Sequence, residues 1–496
     1  MQKFDQYLNV DAGTLNPAEH GEVFVTEDGA ESDLDLGHYE RFINVNMTKR
    51  SSVMSGQIYQ TILEKERRGE FLGKTIQFIP HVVPEVERRM IEAAKESAAD
   101  FLIVEIGGTA GDYEGLHFIE AIRQMKRTVG RENVLYVHVG FLPHLEVTDE
   151  LKSKPLQNSV TDLQGFGIQP DIIIARADRP VPDSIRRKLA LFGNVEDDHV
   201  IPITTVKNVY EVPLTLESYK VDQIILDHFG LKPKRARSSD WNDLIKLIKS
   251  PKKRSITVGL VGKYMGMKDT YLSVTEALKA AALHHRVDVK IEWIDAETLE
   301  KNGVSILNDV DGIVVPGGFG HRGIEGKILA AKYAREKKVP YLGLCLGMQI
   351  ACIEAARHLA GLEGANSTEF DAKTAHPVIH IMPEQEKKLL KNDYGGTMRL
   401  GAYPCQLTKD THAMRAYGTS LISERHRHRY EFNNDYRERL ESVGLVISGT
   451  SPDNIIVEVI EYKDHPFFVA SQFHPEFKSR PNHAHPLFRD FIAATL

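Results

Sequence analysis

A single cysteine stands where an apolar stretch turns sharply toward a predicted helix. Residues 340–349 read Pro-Tyr-Leu-Gly-Leu-Cys-Leu-Gly-Met-Gln, which predicts a buried strand, a tight turn at Cys345 and a helix over Met348–Leu359. Gly343 and Gly347 supply the small residues that such a turn requires. Backbone amides and the dipole at a helix start favour the thiolate, the nucleophilic form of cysteine. Cys345 is therefore a candidate nucleophile, and an inert core cysteine is the alternative.

A histidine and a glutamate lie two residues apart near the C-terminus. Residues 467–477 read Phe-Phe-Val-Ala-Ser-Gln-Phe-His-Pro-Glu-Phe, which predicts an apolar strand that carries His474 and Glu476. Side chains two residues apart on a strand face the same side, so Glu476 can orient His474. His474 can then take a proton from Cys345, which gives the nucleophile, base and orienting group of a triad. An isolated histidine is more often a core or surface residue, so the interpretation depends on all three.

Two carboxylates in the first half of the chain are candidate metal ligands. Asp35 belongs to the acidic stretch 19–41, and Glu105 ends the apolar run Phe101–Ile106 just before a glycine-rich loop. A carboxylate at the end of a buried strand is costly unless a cation or hydrogen bonds compensate it. We interpret Asp35 and Glu105 as hard-oxygen ligands suited to Mg²⁺. A loop that is acidic only because it is solvated is the alternative.

The elements that must position these residues alternate between strands and helices. Predicted strands lie at 76–82, 101–106, 134–140 and 172–175, with predicted helices at 86–97 and 116–128. A second series of predicted strands lies at 256–261, 289–294, 312–316 and 341–344. This alternation predicts an α/β fold with parallel sheets covered on both faces, in which ligands bind at the carboxyl ends of the strands.

A basic segment separates the two series of strands. Residues 231–254 contain two basic clusters around a short amphipathic helix with an apolar face formed by Leu244, Ile245, Leu247 and Ile248. Its Pro and Ser residues are typical of a connector, and binding of nucleic acid is the alternative use of a basic run. We therefore predict domains over residues 1–230 and 255–496, joined by a linker over residues 231–254.

The overall composition excludes several classes of protein. The formal net charge of −7 gives no general attraction to nucleic acid. The cysteines, Cys345, Cys352 and Cys405, are too few for a disulfide framework and are typical of a reducing compartment. No apolar run approaches the about 18 residues of a membrane span, and the first fifteen residues lack the apolar core of a signal peptide. We expect a soluble, cytoplasmic protein that binds neither membranes nor nucleic acid.

Two glycine-rich stretches match nucleotide-binding motifs only weakly. Gly318-Phe-Gly-His-Arg-Gly323 fits G-x-G-x-x-G, but residues 321–326 do not predict the helix that should begin inside that motif. Gly69–Thr75 has three residues between its glycines where a Walker A loop has four, and it follows a helix and leads into a predicted strand. The 496 residues contain no G-x-x-x-x-G-K-[ST].

Three stretches in the second half together resemble the triad-type glutamine amidotransferase domain. They are Pro316–Gly320, Gly343–Gly347 and His474–Glu476, and the resemblance covers roughly residues 255–496. It implies that the Cys345 thiol attacks the glutamine amide, that the N–H groups of Gly318 and Leu346 hold the oxyanion, and that ammonia leaves from a thioester. The glutamine-binding residues that it implies are Gly318, Leu346, Gly347, Met348, Gln349, Glu369 and Arg429.

The first half is identified by resemblance as well. Residues 7–42, 104–114, 152–160 and 169–182 are similar to the CTP synthase family, and the match extends over almost the whole chain. The resemblance implies an ATP-dependent amination of UTP to CTP, in which a synthetase domain phosphorylates the uracil and ammonia from glutamine displaces the phosphate. It also implies a P-loop-NTPase-like parallel-sheet synthetase domain, N-terminally truncated here, followed by a doubly wound α/β amidotransferase domain.

The same resemblance assigns ligands and partners. The implied metal ligands are Asp35 and Glu105, and the implied ATP-binding residues are Lys3, Asp35, Thr204, Thr205 and Val206, although the family often has Lys-Asp-Val at the last three positions. The implied UTP/CTP-binding residues are Asp112, Tyr113, Glu114, Lys152, Ser153, Lys154, Pro155, Leu156, Gln157 and Lys188. We further expect Mg²⁺ as cofactor, ATP as co-substrate, GTP as allosteric activator, CTP as feedback inhibitor, and assembly into a homotetramer and filaments.

The front of the sequence departs from the family. Family members carry a strand, a phosphate-binding glycine-rich loop and a helix upstream of the position that matches Lys3, and this sequence starts after them. Phosphoryl transfer depends on positioning and on neutralising the phosphates, so we expect an impaired synthetase half and exposed apolar surface on its sheet. Two alternatives are a glutaminase uncoupled from CTP synthesis and a non-catalytic nucleotide-binding subunit of a CTP synthase assembly.

Overall fold

A computed structural model of the chain describes residues 1–232, 239–263, 265–382 and 398–496. The first basic cluster of the predicted linker falls largely on residues 233–238 and lies outside the described residues. The amphipathic helix predicted in that linker is present over Ser239–Lys249. Leu244 and Ile245 of its apolar face are buried.

Residues 1–249 contain ten short strands and ten α-helices within the part that the structure describes. The strands are β1 (Gln2–Asp5), β2 (Phe24–Val25), β3 (Glu31–Ser32), β4 (Ser52–Met54), β5 (Val104–Ile106), β6 (Val137–Leu142), β7 (His144–Leu145), β8 (Glu150–Leu151), β9 (Ile172–Ala177) and β10 (Val200–Thr204). The helices are α1 (Pro17–His20), α2 (Asp35–Ile43), α3 (Ser55–Arg67), α4 (Val83–Ser97), α5 (Leu116–Thr128), α6 (Lys154–Gly165), α7 (Asp183–Gly193), α8 (Val212–Ser218), α9 (Val221–His228) and α10 (Ser239–Lys249).

The first compact unit consists of residues 1–10 and 53–245. It contains two three-stranded sheets, with strand orders β4-β1-β5 and β10-β9-β6. Strand β1 pairs in parallel with β5, and β9 pairs in parallel with both of its neighbours. Phe4 of β1 packs with Ile58 of α3, Val86 of α4 and Phe118 of α5 in one apolar cluster. Parallel strands covered by helices confirm the predicted fold class.

One predicted strand of this unit is wrong. Phe78–Val82, in the run 76–82, forms a π-helical turn that leads directly into α4. Pro80 has no N–H to donate to a strand ladder, and Pro84 is suited to the first turn of a helix. The apolar composition of the run therefore reflects packing at a helix start rather than a strand.

One face of β6 is open to solvent. Val137, Val139 and Phe141 alternate along the strand and are 44%, 56% and 47% exposed. The residue between the last two, Gly140, lies against Leu156 of α6, so the opposite face is packed. The unit thus exposes apolar surface on this sheet.

The second compact unit combines residues 11–52 with residues 246–496. Its further strands are β11 (Ser255–Gly262), β12 (Asp288–Asp295), β13 (Gly312–Val315), β14 (Tyr341–Leu344), β15 (Asn366–Ser367), β16 (Pro377–Ile381), β17 (Arg399–Leu407), β18 (Leu421–His428), β19 (Tyr430–Phe432), β20 (Val446–Thr450), β21 (Val457–Glu461) and β22 (Phe468–Ser471). Its further helices are α11 (Leu272–His285), α12 (Ala296–Asn302), α13 (Ile324–Lys337), α14 (Leu346–His358), α15 (His412–Tyr417), α16 (Arg437–Glu441) and α17 (Pro486–Ala494).

A nine-stranded sheet organises this unit. Its strand order is β12-β11-β13-β14-β22-β21-β20-β17-β18. The first five strands pair in parallel, and the last four are joined by antiparallel pairings. Helix α14 is buried along most of its length in one of the two large apolar clusters that cover the sheet. The central strands β14 and β22 end side by side, with Leu344 in register with Ser471.

Residues 11–52 pack against the edge of this sheet. The backbone N–H of Ala402 in β17 donates to the carbonyl of Glu27 at 2.9 Å. Arg425 of β18, with a fully buried side chain, donates to the carbonyl of Val25 at 3.0 Å. Arg427 lies 2.8 Å from the Glu31 carboxylate. The acidic stretch noted in the sequence is therefore matched here by arginines of β18.

Across the described stretches of the chain, no helix combines the length and the apolar character that crossing a bilayer requires.

Candidate functional site

Cys345 occupies the junction between β14 and α14. Its φ of 50° and ψ of −98° form a backbone conformation that L-amino acids rarely adopt. The turn puts the thiol at the N-terminal end of α14, where unpaired amides and the helix dipole favour an anion. Non-glycine residues with positive φ are strained and concentrate at functional sites. The sharp turn predicted at this cysteine is confirmed.

The two glycines that flank the cysteine lie so close to neighbouring atoms that a residue with a Cβ atom would not fit. A Cβ atom at Gly347 would lie 2.2 Å from the carbonyl oxygen of Val315. A Cβ atom at Gly343 would lie 2.8 Å from Cβ of Ala470 and equally close to the backbone of Gly347. Both contacts are closer than real Cβ atoms approach, so the Gly-x-Cys-x-Gly spacing is dictated by the packing of β14 against β22 and of the first turn of α14 against β13.

His474 and Glu476 form a direct contact. Nδ1 of His474 lies 2.7 Å from Oε1 of Glu476, as the sequence predicted. The predicted reason is wrong, because β22 ends at Ser471 and Glu476 lies in a 3₁₀ turn over Pro475–Lys478. The strand is already over at Ser471, and the tight turn that begins at Pro475, rather than strand alternation, brings the carboxylate onto the ring. The His474 ring also stacks on Phe477, with centroids 5.1 Å apart.

The surroundings of His474 favour its protonated form. Burial lowers the pKa of His474, but the Glu476 carboxylate and the Cys345 sulfur outweigh burial and raise it to about 10. The Nε2 atom makes no hydrogen bond to any described residue. It lies on the side of the ring opposite the Glu476 contact and is available to exchange a proton with Cys345 or with a bound ligand.

The glycine-rich loop after β13 is held from both sides. Lys263 donates a hydrogen bond from Nζ to the carbonyl of Phe319, and the N–H of Gly320 donates to Oε1 of Glu369 at 2.7 Å. Burial lowers the pKa of Lys263, an effect that nearby Arg322 reinforces and Glu369 opposes. Burial raises the pKa of Glu369, which Lys263 and other cations oppose. Both contacts are made by the one peptide group that joins Phe319 to Gly320, and they fix its orientation close to Gly318.

Other predicted glutamine-binding residues lie in the same unit but differ in exposure. Met348 is fully buried in the apolar core, and Gly347 is buried against β13. Gln349 is 3% exposed and donates from Nε2 to the carbonyl of Tyr430 at 3.0 Å. The backbone carbonyl of the partly exposed Arg429 accepts from Met382 N at 3.0 Å.

A cavity of about 190 Å³ joins the candidate triad to the glycine-rich loop. Cys345, His474, Glu476 and Gly318 line it, as do Pro17, Glu22 and Val23 from the N-terminal part of this unit. Burial raises the pKa of Glu22 to about 7, against the effects of Arg41 and of hydrogen bonds from Ser273. One wall of the cavity is therefore built by residues that the sequence predictions gave no role.

Sequence reasoning also missed two polar residues next to the thiol. The carbonyl of Arg427 and the side-chain amide of Gln472 each lie 3.6 Å from Cys345 Sγ. The only sequence signal for Gln472 is its position at the end of a buried strand, two residues before His474. Polar residues at that point are costly to bury without partners, and this makes them worth testing for a role.

In the first unit, the predicted residues Lys3 and Glu105 are neighbours. Lys3 Nζ lies 3.4 Å from Oε1 of Glu105 and 3.6 Å from Oδ1 of Asp5. The interpretation of Glu105 as a buried carboxylate is wrong, because its side chain is 47% exposed. Lys3 instead is buried, and β1 and β5 pair with these two residues in register. An exposed carboxylate beside a lysine has the donor chemistry to take Mg²⁺ or a phosphate group.

The predicted nucleotide-binding residues of this unit follow the carboxyl ends of its strands. Asp112 accepts from Thr109 N at 2.7 Å in the loop after β5, and Tyr113 is 86% exposed. Lys152 forms an ion pair with Glu150. Ser153 accepts from Gln157 Nε2 at 2.8 Å. The other predicted positions are Glu114 in a 3₁₀ turn, Lys154, Pro155 and Leu156 in α6, Lys188 in α7, Thr204 in β10, and Thr205 and Val206 just after it.

These positions differ in what their side chains offer a ligand. Leu156 is 1% exposed and belongs to the core, so its side chain is committed to packing. Thr205 donates from Oγ1 to Asp178 at 2.7 Å. Lys154 and Lys188 are exposed. The side chains of these two lysines are thus accessible to a ligand, while that of Leu156 is not.

Asp35 lies in the second unit, in the first turn of α2, and is partly exposed. Within the stretches that the structure describes, no group of three or more histidine, cysteine or acidic side chains is arranged to hold a metal ion. Mg²⁺ that binds together with phosphates usually takes only one or two protein carboxylates, so such a site contains fewer than three of these side chains.

Comparison with known proteins gives similarities over both halves of the chain. The family described as CTP synthase N-terminus matches residues 1–231, and the family described as glutamine amidotransferase class-I matches residues 267–494. The CTP synthase of Roseiflexus sp. (strain RS-1) is 57% identical over 496 residues, which cover 100% of this chain and 88% of that protein. The CTP synthase of Carboxydothermus hydrogenoformans is 56% identical over 497 residues, covering 100% of this chain and 92% of that protein.

A solved structure is similar to part of the chain. The glutaminase domain of Trypanosoma brucei CTPS with bound acivicin is 38% identical and has a TM-score of 0.46, covering 48% of this chain and 93% of that chain.

Proposed function

Because the chain belongs to the CTP synthase family, a group of ligases that take nitrogen from glutamine, we propose that it aminates UTP to CTP with ATP and ammonia from glutamine. The observation that carries this proposal is the 2.7 Å contact between His474 and Glu476, in a cavity that Cys345 also lines. We assign Cys345 as nucleophile, His474 as base and Glu476 as the group that orients and charges His474.

The first chemical step is glutamine hydrolysis. The Cys345 proton moves to Nε2 of His474, and the thiolate attacks the side-chain amide carbon of glutamine. The imidazolium then gives its proton to the departing nitrogen, so ammonia leaves and a thioester remains. Water, deprotonated by His474, hydrolyses the thioester to glutamate. The elevated pKa of His474 supports this role, because it keeps the proton available for the leaving group.

We assign the N–H groups of Gly318 and Leu346 to the oxyanion of the tetrahedral intermediates. Leu346 supplies the first N–H of α14, and Gly318 lies in the loop held by Lys263 and Glu369. Pre-oriented donors of this kind are typically worth about 10²–10³ in rate each. The residues that we assign to glutamine binding are Gly347, Met348, Gln349, Glu369 and Arg429. For the buried Gly347 and Met348, we assign the backbone groups and not the side chains.

The synthetase reaction is assigned to residues within the stretch 1–231, which matches the CTP synthase N-terminus. We propose that Lys3, Thr204, Thr205 and Val206 bind ATP and that Asp112, Tyr113, Glu114, residues 152–157 and Lys188 bind UTP or the product CTP. Asp35 and Glu105 would hold Mg²⁺, which neutralises charge on the phosphates while ATP supplies the phosphoryl group that activates UTP. The exposed carboxylate of Glu105, beside the buried ammonium of Lys3, supports this assignment.

Regulation and assembly are assigned from the family as well: we propose activation by GTP, inhibition by CTP and assembly into a homotetramer or filaments. Light scattering with and without UTP and ATP tests the assembly. The domain boundaries at 230/231 and 254/255 also remain predictions, which limited proteolysis of the linker tests.

One assay tests the function. The purified 496-residue chain is incubated with glutamine, UTP, ATP, GTP and Mg²⁺, and glutamate and CTP are followed together, beside Cys345→Ala. Formation of both products, abolished by Cys345→Ala, supports the full reaction. Glutamate without CTP would mean an uncoupled glutaminase and would bear out the expected impairment of the synthetase half. Binding of UTP without either product would indicate a non-catalytic subunit.

A further inference from the structure

Gln472 lies just beyond the end of β22 and has no exposed surface. We propose that its side-chain amide donates a hydrogen bond to the Cys345 thiolate and thereby increases the nucleophilic fraction of this cysteine at neutral pH. The distance from Gln472 Nε2 to Cys345 Sγ is 3.6 Å. The catalytic meaning of this contact rests on the proposed glutaminase function, whereas the effect on the sulfur does not.

A chain of hydrogen bonds determines which end of the Gln472 amide faces the sulfur. The carbonyl of Tyr430 only accepts, so the Gln349 amide must present Nε2 to it, at 3.0 Å. The second hydrogen of that same Nε2 is donated to Oε1 of Gln472, at 3.2 Å. Gln472 therefore uses its oxygen toward Gln349 and its NH₂ group toward Cys345. The opposite orientation of Gln472 would set two donors against each other at Gln349.

The two polar neighbours of Sγ favour different protonation states. The carbonyl of Arg427, also at 3.6 Å, accepts from the S–H group and so favours the thiol. The N–H of Gln472 donates and so favours the thiolate. When the proton leaves for His474, the Arg427 carbonyl faces an anion, and the Gln472 amide is the neutral donor that compensates. The site thus has a donor for the anion that needs no proton transfer of its own.

Charged groups from several elements line the same cavity as the sulfur. They are His474 and Glu476 after β22, Arg427 on β18, Lys263 after β11, and Glu22 from the N-terminal part of the unit. None of them is changed by a substitution at position 472, so variants at this position report on the amide itself.

The test is the pH dependence of Cys345 alkylation by iodoacetamide, measured without glutamine. In this reaction the thiolate sulfur forms a bond to the methylene carbon, the carbon–iodine bond breaks and iodide leaves. Gln472→Glu keeps an oxygen for Gln349 and replaces the donor by a negatively charged acceptor. We expect its alkylation profile to move to higher pH and its rate at pH 7 to fall by about tenfold or more, which corresponds to a shift of at least about one pH unit.

A neutral variant and a neighbouring control complete the experiment. Gln472→Leu removes the donor without adding charge, and we expect a smaller shift in the same direction. Ser471→Ala disturbs the same strand end, where Ser471 Oγ donates to the Phe473 carbonyl at 3.1 Å, and should leave the profile unchanged. Burial raises the pKa of the Cys352 and Cys405 thiols, so they contribute little, and Cys345→Ala measures their background.

The outcomes separate this inference from the proposed function. If Gln472→Leu and Gln472→Glu alkylate with the pH profile of the unchanged chain, Gln472 does not stabilise the thiolate and the inference is wrong. If Gln472→Glu fails to fold, Gln472→Leu alone decides in the same way. If the profiles shift but the unchanged chain hydrolyses no glutamine, the inference stands while the glutaminase proposal fails. A purely structural role would lower glutamine turnover and leave the alkylation profile in place.

Discussion

Arg425 of β18 lies 3.0 Å from the carboxylate of Glu40 in α2, and neither side chain has exposed surface. Arg480 approaches the same carboxylate at 2.6 Å, and the N–H of Met47 donates to it at 2.8 Å. Glu40 is thus the common partner of two buried arginines. This cluster anchors the segment 11–52 to the sheet that also carries the candidate triad.

Removing the charge of Glu40 should weaken the second unit. In Glu40→Gln, Arg425 and Arg480 lose their shared negative charge while remaining buried. Breaking a buried ion pair on one side typically costs about 3–5 kcal/mol, so we expect a loss of that order in the free energy of unfolding. Urea denaturation followed by fluorescence measures it. Glu19→Gln, at an exposed position in α1, serves as control, and an equal effect of the two substitutions would contradict the assigned role of Glu40.

Replacing Glu476 by glutamine should change both the rate and the pH dependence of glutamine hydrolysis. Neutralising the orienting acid of a triad costs up to about 10⁴ in rate, and we expect a fall in kcat of about 10²–10⁴. The Glu476 carboxylate helps to raise the pKa of His474 to about 10. Without it the pKa falls, so the imidazolium is lost at lower pH and the alkaline decline of the rate moves down the pH scale. A pH profile of kcat from pH 6 to pH 11 checks the direction, and an unmoved alkaline limb would argue against this pairing.

Adding a methyl group at Gly347 should disrupt the nucleophile turn. The Cβ of Gly347→Ala would lie 2.2 Å from the carbonyl of Val315, and backbone atoms cannot rotate away. Overpacking of this kind costs about 1–3 kcal/mol and shifts the backbone, so we expect lower stability and strongly reduced glutaminase activity. Gly266→Ala is the matched control, because a Cβ there meets no atom within 4 Å. Equal activity of the two variants would show that the turn tolerates the shift.

Glu22 should make the stability of the second unit depend on pH. Its pKa is raised from 4.5 to about 7 in the folded state, chiefly by burial. Between these values the unfolded chain has released the proton and the folded chain has not, so stability falls as pH rises through this window, by up to about 3 kcal/mol. Arg41, Ser273 and Glu476 face the group and are unchanged by Glu22→Gln.

The measurement is a comparison of Glu22→Gln with the unchanged chain at pH 5 and pH 8. Because glutamine carries no titrating proton, we expect the variant to gain stability relative to the unchanged chain at pH 8. Denaturation midpoints at both pH values give the difference directly. If the midpoints of the variant and the unchanged chain differ by the same amount at pH 5 and at pH 8, Glu22 does not titrate in this window.

Local patterns predicted the nucleophile turn well. The strand Tyr341–Leu344, the turn at Cys345 and the helix that follows all appear, because the apolar run favours a buried strand and the two glycines permit a sharp turn. The helix over Leu116–Thr128 was equally clear from its periodicity. In each case the local pattern of residue types was enough for the prediction, although contacts with Val315 and Ala470 are what require the glycines.

The sequence patterns gave wrong or incomplete predictions where contacts with distant residues, or the point at which a strand ends, determine the structure. β22 ends at Ser471, before it reaches His474, so the contact between His474 and Glu476 was predicted for the wrong geometric reason. The burial of Lys3 beside an exposed Glu105 depends on how β1 pairs with β5, which alternation does not reveal. Gln472 was overlooked because its importance comes from Gln349 and Tyr430, more than forty positions away in the chain.

The packing of residues 11–52 affects any attempt to excise the amidotransferase domain or to transfer it to another enzyme. Pro17, Glu22 and Val23 form one wall of the cavity around Cys345, although they precede the predicted linker by more than two hundred positions. An excised fragment beginning at Ser255 would carry every triad residue but would lack this wall, so the cavity around Cys345 would be open to bulk water. A fusion of the amidotransferase domain to another acceptor enzyme therefore has to include residues 11–52. They can be supplied as a second polypeptide or by a circularly permuted chain.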